Sequence, residues 1–478
     1  MRTLSLRTLL GASAISLALT LPASAETIFT PSNDGFPGSV RAASVEQGMP
    51  ILQGGAVKIS GEKLIPGQQI TLMRGTTKLN DEPITVDADG AFSFDLTLDT
   101  DAAIGLQPIV VLAENPAAAE VVELKISPDV PVTGTDRFDL TSEKIANGLY
   151  QVIYSPKSDA LFVTSAVGRP PVKESAVSKV DPATLKVVAQ ATPPEAPARP
   201  GAPAPAPAAG GKPDDGRPAL FAAYGVGVDD AHDNVWVTNT RQDTIAVYKQ
   251  SDLSLVKQFE PGAVTHSRDV VIDEANGRAY ASATGTGNIE VFDTASLEQL
   301  DPIVIKSGQR GGQFSTMALD IDSASGTLVT VSMDTNELAV VDVATGESNV
   351  FPLPGAKVAS GVAYDAKDKR AYVVSQATDN LLIVNAEDGT VLHDVETGAG
   401  PLNVTFDPAS RLAYIANRGA GTITVVNPDG EIVGNLEVGT YPNQLRADGK
   451  GNIWAVNKSR GQDDDAGDRL TRIIPKAN

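Results

Sequence analysis

Apolar and polar residues alternate in short runs between about 49 and 128, with no helical period. Val57 and Ile59 begin one such run, and 87–90 has the composition of a turn between two others. Further runs lie at 70–72, 92–98, 106–112 and 121–126. Alternation with period two is typical of half-buried strands. We therefore predict an immunoglobulin-like β-sandwich over 49–128, followed by a linker at 129–135.

A second pattern repeats through the rest of the chain. The unit at 402–427 is an apolar strand, a turn carrying Asp407, a second strand ending in Asn417, a glycine turn and a third strand. Copies of its first two strands recur at 151–165, 225–239, 268–282, 316–332, 361–375 and 444–457. The large apolar residues that mark the second strands are Phe162, Trp236, Tyr280, Val329, Tyr372, Tyr414 and Trp454.

The spacing of these markers predicts the fold. After a first interval of 74 residues, successive markers are 44, 49, 43, 42 and 40 residues apart. A period of about 40–45 residues with three or four strands per unit is the blade period of a β-propeller. The predicted fold class is therefore all-β, an immunoglobulin-like sandwich followed by a seven-bladed β-propeller over 136–476.

Two segments depart from the repeat. An insertion rich in Pro, Ala and Gly at 192–218 explains the long first interval, and we expect it to form a loop or arm. The seventh copy has only 470–474 left after Trp454. We predict that the extra strand at 136–140 supplies its outer strand and closes the ring, which removes two exposed sheet edges.

Three second strands carry a recognisable signature. They read Val-Trp-Val-Thr-Asn at 235–239, Ala-Tyr-Ile-Ala-Asn at 413–417 and Ile-Trp-Ala-Val-Asn at 453–457, and Gly-x-x-Pro stands at 398–401 and 439–442. This pattern resembles the YVTN-repeat β-propeller family, and most of all its periplasmic YncE-like group. Serine replaces the signature asparagine at Ser165, Ser282, Ser332 and Ser375. The resemblance implies a propeller, export and a binding role, and it brings no catalytic residues.

The N-terminal 25 residues have the pattern of a cleavable secretory signal. Arg2 and Arg7 precede the apolar run 9–21, and a small-x-small pattern predicts cleavage after Ala25, with an extended, poorly structured segment at 26–48. No later run is long and apolar enough for a transmembrane helix. We expect a protein of the periplasm or the cell exterior.

Charge and cysteine content exclude several functions. The formal net charge is −21, which argues against general nucleic-acid binding because phosphate affinity rests on clustered Lys and Arg. The absence of cysteine excludes disulfides, thiolate metal sites and cysteine nucleophiles.

In a propeller, residues just before the first strand and just after the second strand of each blade gather around the mouth of the central channel. The first group comprises Tyr150, His266, Arg268, Arg310, Gln313, Lys357, Asn403, Asn443 and Gln444. The second comprises Asn239, Arg241, Asn417, Arg418, Asn457 and Lys458. Such a ring of Arg, Lys and amides predicts a site for a small anionic or polar ligand, or for an envelope protein or peptide partner. The alternative is that the asparagines cap strand ends and the cations belong to a solvated face.

Catalytic signatures are missing. His232, His266 and His393 lie far apart, and neither a nucleophile elbow nor a phosphate-binding loop is present. The repeated acids are expected in Asx turns between strands one and two, at Asp229, Asp273, Asp320, Asp365, Asp407 and Asp448. We predict no cofactor. The loop with Asp463, Asp464, Asp465 and Asp468 could take calcium, and Asp87 and Asp89 are weaker candidates, although neither group matches a calcium loop.

Three functional interpretations remain open at this stage. The first is a non-catalytic envelope protein that binds its ligand at the mouth. The second is a propeller enzyme of the lactonase or quinoprotein kind, which needs a metal or cofactor there. The third is a structural, adhesion or assembly module in which the sandwich and the insertion carry the contacts.

Overall fold

A computed structural model describes residues 38–197, 216–461 and 463–476. The predicted signal, the first part of the segment 26–48 and most of the insertion lie outside the described residues. The described chain is all-β, with two short 3-10 helices at Thr135–Arg137 and Thr240–Gln242. It divides into two compact units. The described part of one is built mainly from Glu62–Phe92 and Val110–Val121, and the other contains all the repeats.

The predicted N-terminal strands are present. One sheet has three strands, in the order β1-β2-β6: β1 (Ser39–Ser44), β2 (Ala56–Glu62) and β6 (Phe92–Thr97). The other has five: β3 (Gln69–Arg74), β4 (Thr77–Lys78), β5 (Ile84–Thr85), β7 (Gly105–Glu114) and β8 (Ala118–Ile126). Strand β1 corrects the expectation of poor structure before residue 49. Its sequence, Ser-Val-Arg-Ala-Ala-Ser, has too few apolar residues to show alternation.

Seven four-stranded antiparallel sheets follow within the described repeats, and we number them in chain order. Sheet I contains β10 (Leu149–Ser155), β11 (Ala160–Ala166), β12 (Ser175–Val180) and β13 (Val187–Ala191). Sheet II contains β14 (Val226–Asp229), β15 (Asn234–Asn239), β16 (Thr244–Lys249) and β17 (Leu255–Gln258). Sheet III contains β18 (Ser267–Asp273), β19 (Arg278–Ala283), β20 (Asn288–Asp293) and β21 (Gln299–Val304).

Sheet IV contains β22 (Thr316–Asp322), β23 (Thr327–Ser332), β24 (Glu337–Asp342) and β25 (Ser348–Pro352). Sheet V contains β26 (Ala359–Asp365), β27 (Arg370–Ser375), β28 (Asn380–Asn385) and β29 (Val391–Glu396). Sheet VI contains β30 (Pro401–Asp407), β31 (Leu412–Asn417), β32 (Thr422–Val426) and β33 (Ile432–Glu437). Sheet VII contains β34 (Pro442–Ala447), β35 (Ile453–Asn457), β36 (Arg469–Pro475) and β9 (Phe138–Lys144).

The core lies between neighbouring sheets. All seven predicted marker residues are in second strands and are almost fully buried. Each junction between consecutive sheets has its own apolar cluster, and the cluster with Leu149 and Trp454 joins sheet VII to sheet I. The first strands are likewise neighbours in cyclic order, from β10 round to β34 and back. The repeats therefore form a closed ring.

The closing strand was correctly predicted. β9 pairs antiparallel with β36, from Phe138 opposite Pro475 to Lys144 opposite Arg469. Phe138 is buried and meets the ring of Tyr414 edge-on. The preceding segment is also paired, because Thr133 bridges Asn435 backbone to backbone, so the predicted linker is partly tied to sheet VI.

First strands begin with a bulge. In six of the seven sheets within the described repeats, the register to the second strand shifts near the start of the first strand. A bulge bends the strand and re-aims the side chains at that point. The residues concerned include Tyr150, Gln151, Arg268, Asp269 and Asn443, which later prove to line the central cavity.

Side chains accept hydrogen bonds from backbone N–H groups along the inner edge of the ring. An innermost strand has unpaired backbone N–H groups, which are costly when buried. At five of the seven described junctions, a first-strand side chain accepts a hydrogen bond from an N–H of the next first strand. The pairs, acceptor first, are Gln151 and Val226, Asp269 and Leu319, Asp320 and Tyr364, Asn403 and Leu445, and Gln444 and Val152.

The Asx turns are present in five of the six predicted copies, where Asp229, Asp273, Asp365, Asp407 and Asp448 accept backbone N–H groups two to four residues on. The prediction for Asp320 was wrong. The turn of sheet IV begins after Asp322, so Asp320 lies within β22 and accepts from Tyr364 N at 2.8 Å. Asp322 takes the turn position and accepts from Ser325 N at 3.0 Å.

We expect Asp322→Ala to lower the free energy of unfolding by about 1 kcal/mol, because it removes a local side-chain-to-backbone bond at a solvated turn. Urea denaturation would measure the loss. Asp334→Ala, at an exposed turn of the same sheet, is the control and should change stability by less than about 0.5 kcal/mol. Equal effects of both substitutions would contradict the assignment of the turn.

Candidate functional site

A cavity of about 310 Å³ lies inside the ring of first strands, at the end where these strands begin. Bulged first strands and the residues that follow second strands supply its walls, as the sequence predicted for the mouth. Its lining comprises Tyr150, Gln151, Tyr224, Thr240, Arg241, His266, Arg268, Asp269, Thr284, Met317, Ala318, Met333, Leu402, Asn403, Asn443 and Gln444.

The structure brings together part of the predicted residue set. His266, Arg268, Asn403, Asn443 and Arg241 line the cavity. Two further predicted cations adjoin this lining. The Arg418 Nη1 donates to Asn443 Oδ1 at 2.6 Å, and the Lys458 Nζ lies 3.3 Å from the centroid of the Tyr150 ring.

Three other predicted residues lie away from the cavity. Arg310, Gln313 and Lys357 are exposed on loops before first strands. Gln313 donates to the carbonyl of Gly285 at 2.9 Å, and the Lys357 Nζ is 4.0 Å from Glu123. None of the three is in the cavity lining.

The three signature asparagines are structural. Asn239, Asn417 and Asn457 are buried at the ends of second strands. Asn457, for example, accepts from Arg469 N at 2.7 Å and donates to the carbonyl of Ala466 at 2.7 Å. Asn417 donates to two threonine hydroxyls of the adjacent β32. These bonds fit the alternative in which the asparagines cap strand ends, while the buried Asn417 Oδ1 has no partner within the described protein.

Two polar atoms of the cavity wall have no partner within the described protein. Gln444 is 2% exposed, and its Oε1 serves the inner edge while its Nε2 is unpaired. The hydroxyl of Thr284 is also buried and unpaired. A buried donor without an acceptor costs about 1–3 kcal/mol. A polar ligand or water molecules in the cavity would satisfy both groups.

One side of the mouth carries a set of three cations around two tyrosines, which we call the cation–tyrosine cluster: Tyr150, Tyr224, Arg241, Arg418 and Lys458. The tyrosine rings meet edge-to-face with centroids 3.8 Å apart. The Arg241 Nε donates to the Tyr224 hydroxyl at 3.0 Å. Within the described residues, no carboxylate lies within ion-pair distance of Arg418 or Lys458.

Burial and mutual repulsion alter the protonation of this cluster. Loss of solvation, with the charges of Arg418 and Arg241, lowers the pKa of Lys458 from 10.5 to about 7, against a smaller opposing effect of Asp468. Burial also lowers the pKa of Arg418 and raises that of the Tyr150 hydroxyl, which Tyr224 raises further. The Tyr150 ring attracts an ammonium by about 1–2 kcal/mol. That attraction favours the charged form of Lys458. It is smaller than the free-energy change that corresponds to the lowered pKa of Lys458, which is on the order of 4–5 kcal/mol.

A charge network that the sequence analysis did not predict crosses the ring below the mouth. Arg446 on β34 reaches from sheet VII to Asp269 on β18, with 3.3 Å between Nη2 and Oδ2. Its Nη1 is 4.0 Å from Asp320. The predicted ring of Arg, Lys and amides did not include these two carboxylates of first strands, which contact Arg446. Burial raises the pKa of Asp320, and Arg446 opposes that rise.

The histidines and the acidic loop offer no assembled metal site in the part of the chain that is described, where no three His, Asp or Glu side chains cluster suitably. His232 bonds to Asp229, His393 lies on β29, and His266 is at the mouth. In the acidic loop, Asp464 and Asp468 accept backbone N–H groups, including Arg460 N and Gly148 N. Those bonds hold the loop against sheets VII and I. None of the described helices could span a membrane.

Sequence comparison places the chain near known but functionally undefined proteins. No family model matches it. It is 24% identical over 344 residues to the uncharacterized protein YncE of Salmonella typhimurium, covering 69% of this chain and 88% of the relative. It is also 24% identical over 328 residues to the uncharacterized protein YncE of Escherichia coli, covering 65% and 83%. The predicted likeness to YncE-like proteins is confirmed at this level.

Solved structures with the same fold have diverse functions. Hydrazine synthase of Kuenenia stuttgartiensis aligns with a TM-score of 0.52 at 17% identity, covering 69% of this chain and 96% of that one. The WD40 repeats of RRP9 give 0.54 at 9%, covering 73% and 100%. Virginiamycin B lyase of Staphylococcus aureus gives 0.52 at 14%, covering 71% and 100%. WD40 repeats are propeller blades, so the chain has a β-propeller fold.

Proposed function

We propose that the protein is an exported propeller that binds a small anionic ligand at the cation–tyrosine cluster through non-covalent contacts. The observation that carries the proposal is the convergence of Arg241, Arg418 and Lys458 beside the cavity, on a chain whose net charge is −21. Arg418 and Lys458 have no carboxylate within ion-pair distance among the described residues, so these two like charges repel each other. A bound carboxylate, sulfate or phosphate relieves that repulsion and accepts their hydrogen bonds.

Finer features of the architecture belong to the same proposal. The seven sheets of the closed ring act as seven blades, and the two N-terminal sheets correspond to an immunoglobulin-like domain. A cleavable leader at 1–25 supports a periplasmic or extracellular location, in keeping with the YncE-like resemblance. The lyase name of one structural neighbour comes with 14% identity and supports the fold alone.

The cavity walls also favour a ligand with oxygen acceptors. The Gln444 Nε2 is a buried donor that no described group satisfies. Asn443 links the cluster to the first strand of sheet I, because it accepts from Arg418 and donates to the carbonyl of Tyr150 at 2.7 Å. Arg418 is therefore held in place before a ligand arrives, which lowers the entropic cost of binding.

We expect Arg418→Gln to weaken binding of a small dianion such as sulfate about tenfold, because one charge-assisted hydrogen bond is lost while the amide can still bond to Asn443. Isothermal titration of the full-length protein with sulfate, citrate and glycolate would measure it.

Arg310→Gln is the matched control, since Arg310 was also predicted at the mouth but is exposed away from the cavity. That variant should bind as the unaltered protein does. Equal losses in both variants would show that the effect is only a change in net charge. If none of the anions binds, the proposed function fails.

A further inference from the structure

Lys458 differs from an ordinary surface lysine in its burial and in the groups that surround it. It follows β35 directly, is half-buried, and its Nζ lies over the Tyr150 ring. Arg418 and Arg241 are its charged neighbours, and Asp468 is the acid that acts on it. Asp468 is already engaged, because its Oδ1 accepts from Gly148 N at 2.8 Å and from Ser459 N at 3.2 Å.

Lys458 and Arg418 are two cations in one half-buried place, and keeping both charged is costly. Guanidinium groups do not lose a proton in proteins, whereas an ammonium does. The lysine is therefore the group that becomes neutral. A neutral amine has a free lone pair, and desolvation beside another cation is a known way of activating lysine as a nucleophile.

Building on the proposed anion site, we infer that Lys458 captures a small oxo-acid, a carboxylate with an adjacent aldehyde or ketone, as an imine. The substrate class follows from the neighbours. Arg418 presents a guanidinium group that suits the carboxylate, and Lys458, its neighbour in the cluster, supplies the amine for the adjacent carbonyl carbon. The cation–tyrosine cluster thus acts on the ligand by covalent capture as well as by charge.

The chemistry is balanced without an oxidant or reductant. The amine nitrogen attacks the carbonyl carbon, the C=O pair moves to oxygen, and a proton shifts from nitrogen to give a carbinolamine. The hydroxyl then leaves as water while the C=N bond forms. The proton that the departing hydroxyl needs comes from solvent, because the amine is half-buried and not sealed off. The Tyr150 hydroxyl is too weak an acid for this step, since burial raises its pKa.

The same chain holds a matched lysine for comparison. The Lys450 Nζ also lies over a tyrosine ring, 4.9 Å from the Tyr154 centroid, and donates to that hydroxyl at 3.0 Å. Its side chain is solvated, and the bond to Tyr154 raises its pKa. Lys450 therefore shares the aromatic contact of Lys458 but has neither its burial nor its cationic neighbours.

The test is reductive trapping of the full-length protein with glyoxylate and cyanoborohydride at pH 7, followed by peptide mass mapping. Trapped imine appears as carboxymethyl-lysine. We expect Lys458 to be labelled on the order of a hundredfold faster than Lys450, because a far larger fraction of it is neutral. Added sulfate should slow the labelling of Lys458 and leave that of Lys450 unchanged.

Glycolate, which has the carboxylate but no carbonyl, separates the two proposals when its binding is titrated in parallel. Binding of glycolate and glyoxylate with labelling of Lys458 no faster than Lys450 would overturn the imine and leave the anion site standing. No binding of either compound, together with slow labelling, would overturn both. Fast labelling of Lys458 that sulfate does not slow would overturn the link between amine and anion site.

Discussion

Replacing Asp269 by alanine should lower the free energy of unfolding by about 3–5 kcal/mol, the range for leaving one buried charge without its partner. Asp269 is 1% exposed. One of its oxygens accepts both from Arg446 at 3.3 Å and from Leu319 N at 3.1 Å. The substitution therefore leaves the Arg446 guanidinium with only the more distant carboxylate of Asp320, at 4.0 Å, and leaves the Leu319 N–H on the inner edge of sheet IV without its acceptor. Thermal and urea unfolding would measure the loss.

The double variant Asp269→Ala with Arg446→Met tests the cause. If the stranded charge is the main cost, removing it should restore about 2 kcal/mol or more, since a buried ion pair replaced by apolar groups is often near neutral. Asp334→Ala at an exposed turn is the control for general loss of a carboxylate. A loss below about 1 kcal/mol in Asp269→Ala would mean that water reaches the network and screens it.

The architecture was predictable because it repeats. The marker aromatics such as Trp236 and Tyr414 are buried between sheets, and a buried position in one repeat is buried in the next. Periodicity thus gave the second strands, the seven units and the closing strand β9. Strand β1 could not be predicted, since its side chains are small and polar and its order comes from backbone pairing with β2.

The site was predictable only in part, because repeats specify a ring position and not a partner. Arg418 and Arg310 both stand beside a first or second strand, yet one adjoins the cavity and the other is exposed. Bulges bring side chains such as Arg268 and Asp269 to the cavity wall, and they leave no mark in the alternation of apolar residues. Arg446 and Asp269 are 177 residues apart in sequence, so their pairing becomes visible only once the ring has closed.

The inner ring and the mouth have opposite electrostatic designs. Below the mouth, Arg446 is matched by Asp269 and by Asp320, which stabilises the closed ring. At the mouth, Arg418 and Lys458 have no such acid among the described residues. Selection for stability alone would not leave a half-buried cation unmatched, whereas a site for an exogenous anion requires it. The contrast is what distinguishes the cluster from an ordinary solvated face.

Sulfate affinity should fall about tenfold for each pH unit between about 7 and 9 and should level off below about 6. The pKa of Lys458 in the free protein is about 7, and a bound anion stabilises the ammonium and raises that pKa. The complex therefore holds more protons than the free protein between the two values. Binding therefore takes up a proton at pH values between these two pKa values, and a rise in pH within that range weakens binding.

Titration calorimetry in buffers of different ionisation enthalpy would measure the uptake, which should be near half a proton at pH 7 and approach one proton at pH 8. Guanidinium groups do not lose a proton in proteins, and burial raises the pKa of Tyr150 above this range. Lys458→Met should abolish both the slope and the uptake, whereas Lys450→Met and His266→Gln should retain them. An affinity that stays constant from pH 6 to 9 in the unaltered protein would show that Lys458 keeps its charge, and the cluster would then be a permanent tricationic site.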